Sequence, residues 1–205
     1  MSPALTINPM TTAYLFDLDG TLTSVELLPL IAREIGLEES MGELTRATMA
    51  GEIAFPESFS RRVAMLSHVP TKAVAEIVRS APVHRQLLDW VLVHKEQCWV
   101  VTSNLDVWIE PWLQKHGLKG SSSPSRMTNG VISIDEILYK QDVLAHFDGF
   151  RTVMVGDGAN DAEIIHEVDI GVANELVHPA PEVVLEVADY LARTEESLCR
   201  LLARL

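Results

Sequence analysis

Two aspartates close the first apolar run of the chain and could together hold a divalent cation. Residues 14–22 read YLFDLDGTL, in which Asp17 and Asp19 stand two residues apart before a Gly-Thr turn. Alternation along a strand would put both side chains on the same side. Two carboxylates at such a short distance repel each other unless a cation lies between them. Mg²⁺ is the usual hard cation at such sites. A strand followed by an ordinary Asx-rich turn is the alternative interpretation.

Two later apolar strands also end in polar residues, and a lysine precedes the second of them. Thr102 ends one strand, and Asp157 and Asp161 lie in the run GDGAND that follows the other. Lys140 opens a predicted helix. Each feature alone fits a local role as a helix cap, a solvated helix residue or a turn. Because ligands of parallel sheets bind at the carboxyl ends of strands, the combination predicts acids, a hydroxyl and a lysine at one sheet edge.

Helices and buried strands alternate along most of the chain, which predicts an α/β fold with a mostly parallel sheet. The exception is the stretch 24–82, where the apolar residues follow helical spacing and no strand pattern occurs. We therefore expect a Rossmann-like core domain formed by residues 1–23 and 83–205. A small all-helical cap domain, residues 24–82, is predicted to be inserted after the first strand.

Composition and charge narrow the class of protein. The chain has 205 residues, of which 47% are hydrophobic, which fits one sizeable domain or a core with an insert. Its formal net charge of −13 argues against nucleic acid or an anionic membrane as a partner. Attraction of a phosphate group must then come from local cations and a metal. No apolar run approaches a membrane span and no signal-peptide pattern is present, so we expect a cytoplasmic protein.

Four motifs along the chain resemble those of the haloacid dehalogenase-like phosphatases. They are DLDGT at 17–21, the apolar strand that ends at Thr102, Lys140, and GDGAND at 156–161. Their order and approximate spacing fit that family over nearly the whole chain. The helical insert is similar to the small helical cap that the family places after its first motif.

Three further features resemble the phosphoserine phosphatase branch of that family. The run at 51–70 is similar to part of the cap of that branch, and KQDVL, which begins at Lys140, is similar to its third motif. Glu26 lies seven residues after Asp19, where that branch carries a glutamate that contacts the substrate.

The resemblance implies a Mg²⁺-dependent phosphatase and assigns the acidic residues. Asp17 would attack phosphorus and form an aspartyl-phosphate. Asp19 would be general acid to the leaving alcohol and then general base to the hydrolytic water. Mg²⁺ would be held by Asp17, Asp157 and the backbone carbonyl of Asp19, with Asp161 bonded nearby or through water.

The same resemblance implies the substrate contacts. Thr102 and Lys140 would hold phosphoryl oxygens, and Asn160 would tie the fourth motif to the site. Glu26 and Arg62 would bind the ammonium and the carboxylate of a small phosphorylated metabolite, with phosphoserine as the leading candidate. The alternatives are that Glu26 only stabilises a helix N-terminus and that Arg62 is an exposed cap residue.

One departure from the branch bears on the substrate. Where the phosphoserine phosphatases usually carry Gly-Gly after the second motif, this chain has Ser103-Asn104. Side chains there could narrow the pocket or recognise another group, which makes Ser103 a further candidate for substrate binding.

Several other functions stay open at this point. A phosphatase for a sugar or sulfur-salvage phosphate, or a phosphotransferase to a hydroxyl acceptor, would use the same motifs. A non-catalytic binding module is disfavoured because Asp17, Asp19, Lys140 and Asp157 are all present. A dehalogenase is disfavoured because its chemistry needs neither the second aspartate nor Mg²⁺. The sequence indicates no oligomeric state.

Overall fold

A six-stranded parallel sheet forms the centre of the protein. This computed structural model describes residues 11–49 and 52–205. The strands are β1 (Thr12–Phe16), β2 (Cys98–Leu105), β3 (Lys119–Ser123), β4 (Ser125–Thr128), β5 (Val131–Ile134), β6 (Arg151–Gly156), β7 (Ile170–Asn174) and β8 (Tyr190–Ala192). The sheet has the order β3-β2-β1-β6-β7-β8, with every neighbouring pair parallel, and β4 and β5 form a separate antiparallel hairpin. The predicted α/β class is therefore confirmed.

Helices connect the strands and cover the sheet. They are α1 (Leu27–Ile35), α2 (Glu38–Met49), α3 (Phe55–Leu66), α4 (Thr71–Arg79), α5 (Arg85–Val93), α6 (Asp106–His116), α7 (Ala162–Glu167), α8 (Glu182–Leu185) and α9 (Glu195–Leu202). Two 3₁₀ segments, Lys140–Phe147 and Ala159–Asp161, flank β6. Among residues 11–49 and 52–205, none of the helices combines the length and the apolar character that crossing a membrane requires.

Successive residues of the central strand β1 face opposite layers of the protein. The rings of Tyr14 and Phe16 meet Trp90 of α5, with centroids 5.0 and 6.2 Å apart. Leu15, between them, belongs to a second buried cluster that contains Ile164 of α7. This alternation is what a strand buried on both faces requires.

Helices α1–α4 form the stretch between β1 and α5, within the predicted cap region 24–82. All elements described in this stretch are helices. The two segments that link it to the sheet run side by side, with an antiparallel bridge between Thr23 and Val83. The division into core and cap domains stays a prediction, and residues 1–10 and 50–51 lie outside the described part of the chain.

Two elements that carry predicted site residues differ from expectation. Strand β2 does not end at Thr102 but continues to Leu105, with a shift in its pairing to β3 after Val101. The segment that begins at Lys140 is a 3₁₀ helix rather than an α-helix. Its buried residues, Lys140 and Val143, stand three apart, which is the repeat that a 3₁₀ helix keeps on one side.

Candidate active site

The register of the sheet brings the ends of β1 and β6 together. Phe16 of β1 is in register with Val155 of β6, and the N–H of Asp17 donates to the Val155 carbonyl at 2.9 Å. Asp157 follows two residues after Val155. Two aspartates from motifs far apart in the chain therefore emerge side by side at the carboxyl edge of the sheet.

The ammonium group of Lys140 lies between two of the buried carboxylates. Its Nζ is 2.6 Å from Asp17 Oδ1 and 2.6 Å from Asp161 Oδ1, and the lysine is only 2% exposed. Burial alone would lower the pKa of Lys140, but the Asp161 and Asp17 carboxylates raise it instead. Burial also raises the pKa of Asp17 well above its usual range, although Lys140 opposes that change. Lys140 therefore stays protonated, because the negative charge of the neighbouring carboxylates stabilises its ammonium form.

Three buried aspartates form a compact group of oxygen donors. One oxygen from each of Asp17, Asp157 and Asp161 lies within 4.8 Å of the other two. Asp161 is fixed within the fourth motif because its Oδ2 accepts the backbone N–H groups of Asp157 and Gly158 at 3.2 and 3.0 Å. A side chain at Gly156 would collide with the Asp161 carboxyl group, so the motif needs glycine there.

A buried chain of hydrogen bonds orients Asp157. Thr21 donates its hydroxyl to Asp157 Oδ1 at 2.9 Å, and Asn174, at the end of β7, donates Nδ2–H to the Thr21 hydroxyl at 2.8 Å. Gly20 precedes Thr21 with a φ of +66°, and a Cβ there would meet Asp157 Oδ2. Gly20 of the first motif therefore leaves room for the Asp157 side chain, and Thr21 orients it.

His178 lies on the opposite side of Asp157. Its Nε2 is 2.9 Å from Asp157 Oδ2 and 3.3 Å from Glu26 Oε1, and its Nδ1 is 3.0 Å from the carbonyl of Pro179. Hydrogen bonds to Asp157 and Glu26 raise the pKa of His178 to about 11. The imidazolium form is favoured because both ring nitrogens face acceptors.

Asp19 is held apart from the other three aspartates. Its Oδ1 accepts the backbone N–H of Leu27 at 2.9 Å, and its Oδ2 accepts Nδ2–H of Asn104 at 2.6 Å. Burial raises the pKa of Asp19 to about 7, and the nearby Glu26 carboxylate adds to this effect. A carboxyl group with such a pKa can both give and take a proton near neutral pH.

Comparison with known proteins identifies the family. Residues 14–166 match the model of the haloacid dehalogenase-like hydrolases, and this range contains all four motifs. The chain belongs to the haloacid dehalogenase-like hydrolase family. The resemblance inferred from the motifs is confirmed.

Relatives within this hydrolase family are phosphoserine phosphatases. That of Archaeoglobus fulgidus is 27% identical over 205 residues, which cover 92% of this chain and 58% of the relative. That of Campylobacter jejuni subsp. doylei is 26% identical, with 85% of this chain and 93% of the relative covered. A solved substrate-bound phosphoserine phosphatase complex has a TM-score of 0.80 at 24% identity, covering 97% of this chain and 100% of that structure. The last likeness shows the shared fold, and the chain spans little more than half of the Archaeoglobus relative.

Three further residues that were predicted to contact the substrate, Thr102, Ser103 and Asn160, lie in different environments. Thr102 is 1% exposed, and its hydroxyl oxygen accepts the backbone N–H of Asn104 at 3.2 Å. Ser103 donates its hydroxyl to the Leu138 carbonyl at 3.2 Å, which directs it to the main chain. Asn160 is half-buried in the turn of the fourth motif. The contacts of all three with a substrate stay predictions.

Arg62 of α3 is half-buried beneath the insert helices, in contrast to its neighbour Arg61. Its NH2 group donates to the Thr48 hydroxyl at 3.3 Å, and no described residue accepts from its buried Nε. Burial lowers the pKa of Arg62, whereas Glu26 and Asp19 oppose that change, so both acids lie near enough to act on the guanidinium. Arg61 is exposed and pairs with Glu57 on its own helix at 2.6 Å.

Three residues contact the site without being among the predicted site residues, although the sequence marks Asn104 as a side chain that could narrow the pocket. Asn174 is the last residue of β7, and His178 lies four residues beyond it. Asn104 lies near the end of β2. The sequence pattern predicts this strand over 169–172, whereas β7 continues to Asn174, so the strand-end rule that selected the other residues did not select Asn174. His178 had no such signal, because its contact with Asp157 depends on the path of the loop after β7.

We expect the Lys140→Met variant to be much less stable than the wild type. The substitution leaves the buried Asp17 and Asp161 without their cation, and breaking a buried pair in this way costs about 3–5 kcal/mol. Urea denaturation at neutral pH measures the free energy of unfolding. A double variant that also carries Asp161→Asn should recover part of the loss because fewer unpaired charges remain.

Lys119→Met is the matched control for this experiment. Lys119 pairs with Glu96 at 3.7 Å on the surface, and both side chains are mostly exposed. Its loss should change the free energy of unfolding by less than about 1 kcal/mol. Equal effects of the two substitutions would contradict the account of Lys140.

Proposed function

We propose that this protein is a Mg²⁺-dependent phosphomonoester hydrolase that forms an aspartyl-phosphate on Asp17. Its substrate is a small phosphorylated metabolite, with phosphoserine as the leading candidate. The observation that carries the proposal is the meeting of Asp17, Asp157 and Asp161 at the carboxyl edge of the sheet, with Lys140 between Asp17 and Asp161. The similarity to phosphoserine phosphatases supports it.

The two aspartates of the first motif take different parts in the reaction. Asp17 is fixed by Lys140 at the end of β1, where it can attack phosphorus as a nucleophile. Asp19 has separate hydrogen-bond partners and a pKa of about 7, which suits a group that protonates the leaving alcohol and later takes a proton from water. Lys140 and Thr102 stabilise charge on the phosphoryl oxygens.

The donor set fits Mg²⁺. The three clustered aspartates offer only oxygen atoms, which hard divalent cations prefer, and their negative charge exceeds what Lys140 and the imidazolium of His178 neutralise. Asp17, Asp157 and the backbone carbonyl of Asp19 would hold the ion, with Asp161 beside them. The bound ion supplies neutralising charge for the phosphoryl group. The chain itself orients the donors, through the Thr21 hydroxyl on Asp157.

The choice of phosphoserine rests on Arg62 and Glu26. A guanidinium group with a buried, unpaired Nε among the described residues is suited to bind a carboxylate. Glu26 lies at the mouth of the site, with its side chain 38% exposed, and is suited to bind an ammonium group. Together they would recognise the two charged groups of an amino acid.

A phosphatase for another small metabolite is the second candidate. His178 already approaches Glu26 at 3.3 Å, so a substrate ammonium would have to share the carboxylate with it or displace it. A substrate without an ammonium group would leave this contact intact. A panel of phosphomonoesters that includes sugar phosphates separates the two candidates, and added alcohols would reveal phosphoryl transfer to a hydroxyl acceptor.

The Asp17→Asn variant should lose phosphatase activity while it keeps its fold. We expect kcat to fall by at least about a thousandfold because the nucleophile is removed. Phosphate release measures the activity, and circular dichroism measures the fold. Asp142→Asn, at an exposed acid in the segment that begins at Lys140, should retain full activity. Turnover by Asp17→Asn would contradict the assignment of Asp17 as the nucleophile.

EDTA should abolish the wild-type activity, and added Mg²⁺ should restore it.

Substitutions at Glu26 and Arg62 should affect phosphoserine selectively. In Glu26→Gln and Arg62→Leu we expect KM for phosphoserine to rise at least about tenfold, since each loses a charge-assisted hydrogen bond. The KM for 4-nitrophenyl phosphate, which lacks the amino-acid groups, should rise much less. Arg61→Leu is the control, because Arg61 pairs with Glu57 on the surface. Equal changes for both esters would favour the second candidate.

A further inference from the structure

Asn104 follows Thr102 and Ser103 of the second motif, and its side chain contacts Asp19. The residue lies near the end of β2 and is 6% exposed. Its Nδ2–H donates to Asp19 Oδ2 at 2.6 Å, across 85 positions of the sequence. A glycine at this position could not make the contact. The Asn104 side chain therefore links the end of β2 to one of the central carboxylates.

The orientation of the Asn104 amide follows from this contact. If the amide were turned over while Asp19 is ionised, its oxygen would face a carboxylate oxygen, and two acceptors would repel each other. In the observed orientation Oδ1 is buried, and no described residue donates to it. A buried acceptor without a protein donor lowers stability. Stabilisation of the fold alone is therefore a poor explanation for asparagine here, and a role in the site is a better one.

The two oxygens of Asp19 are tethered from different parts of the molecule. Oδ2 is held by Asn104 of the central sheet, and Oδ1 by the N–H of Leu27, the first residue of α1. Without Asn104 the carboxyl group would keep one tether and could rotate about its terminal torsion. We propose that Asn104 is a positioning residue that holds the Asp19 carboxyl group in the orientation from which it protonates the leaving oxygen. This inference rests on the proposed phosphatase function.

The proton transfer defines what Asn104 contributes. As Asp17 attacks, the bond between phosphorus and the leaving oxygen breaks, and the protonated Asp19 carboxyl group gives its proton to that oxygen, releasing an alcohol. Water then attacks phosphorus and gives a proton back to Asp19, while the bond from phosphorus to Asp17 breaks and phosphate leaves. The first transfer matters only for an alcohol that leaves poorly as an anion. Asn104 should therefore matter most for alkyl esters.

A matched pair of esters tests this difference. In 4-nitrophenyl phosphate the leaving group departs readily as an anion, whereas 4-nitrobenzyl phosphate, one methylene longer, releases an alcohol that needs a proton. Neither carries an amino-acid group. The constant kcat/KM covers the steps up to release of the first product, so it reports the first proton transfer and not the later hydrolysis.

Two variants separate positioning from packing. Asn104→Gly removes the whole side chain, and Asn104→Leu keeps nearly the same shape without the N–H. In both variants we expect kcat/KM for 4-nitrobenzyl phosphate and phosphoserine to fall at least about tenfold, because misplacement of a catalytic group is costly. For 4-nitrophenyl phosphate the fall should stay below about threefold. Circular dichroism confirms the fold of each variant.

Other results would overturn the inference in distinguishable ways. Equal losses on all three esters would indicate a general structural role for Asn104. A loss on phosphoserine alone would indicate that Asn104 contacts the amino-acid group instead of positioning Asp19. Unchanged kcat/KM on all three would remove any role in the reaction. If the wild type hydrolyses none of the esters, the proposed function itself fails, and the inference fails with it.

Discussion

One buried ammonium group, that of Lys140, holds the site together. It joins Asp17 at the end of the first strand to Asp161 in the turn after β6, two residues that the chain separates widely. Carboxylates cannot converge in a buried place without a cation, because desolvation and mutual repulsion would protonate them or drive them apart. Lys140 balances part of that charge, and the remainder makes the place suitable for a divalent ion. The fold and the proposed chemistry thus depend on the same contact.

The parallel sheet supplies the positions that this contact requires. Since β1 lies between β2 and β6, three motifs end at the same edge, and Gly20 and Gly156 let the carboxyl groups approach the backbone closely. Helix α1 starts at Leu27, directly beside Asp19, and so links the insert to the acid at the centre of the proposed reaction. An opening motion of the insert would therefore act on Asp19 as well as on access to the site.

Much of this arrangement could be predicted from the sequence, because it depends on local patterns. Apolar runs that end in Asp17 and Asp157 predict strand ends, and parallel strands bring their ends to one edge. The rest depends on tertiary contacts that no spacing reveals. The Ser103 hydroxyl turns to the main chain, His178 reaches Asp157 through the path of a loop, and Asn104 meets a residue 85 positions away. The sequence therefore predicts which side chains lie at a strand end, but not which residues they contact.

The most direct test of the account locates the phosphoryl group during turnover. The wild-type protein is mixed with phosphoserine and Mg²⁺, quenched in acid within a single turnover, and treated with borohydride, which reduces an aspartyl-phosphate to homoserine. Mass spectrometry of the peptides then reports which aspartate was modified. The account predicts homoserine at position 17 and at no other aspartate. Modification of another residue, or turnover without any modified aspartate, would contradict it.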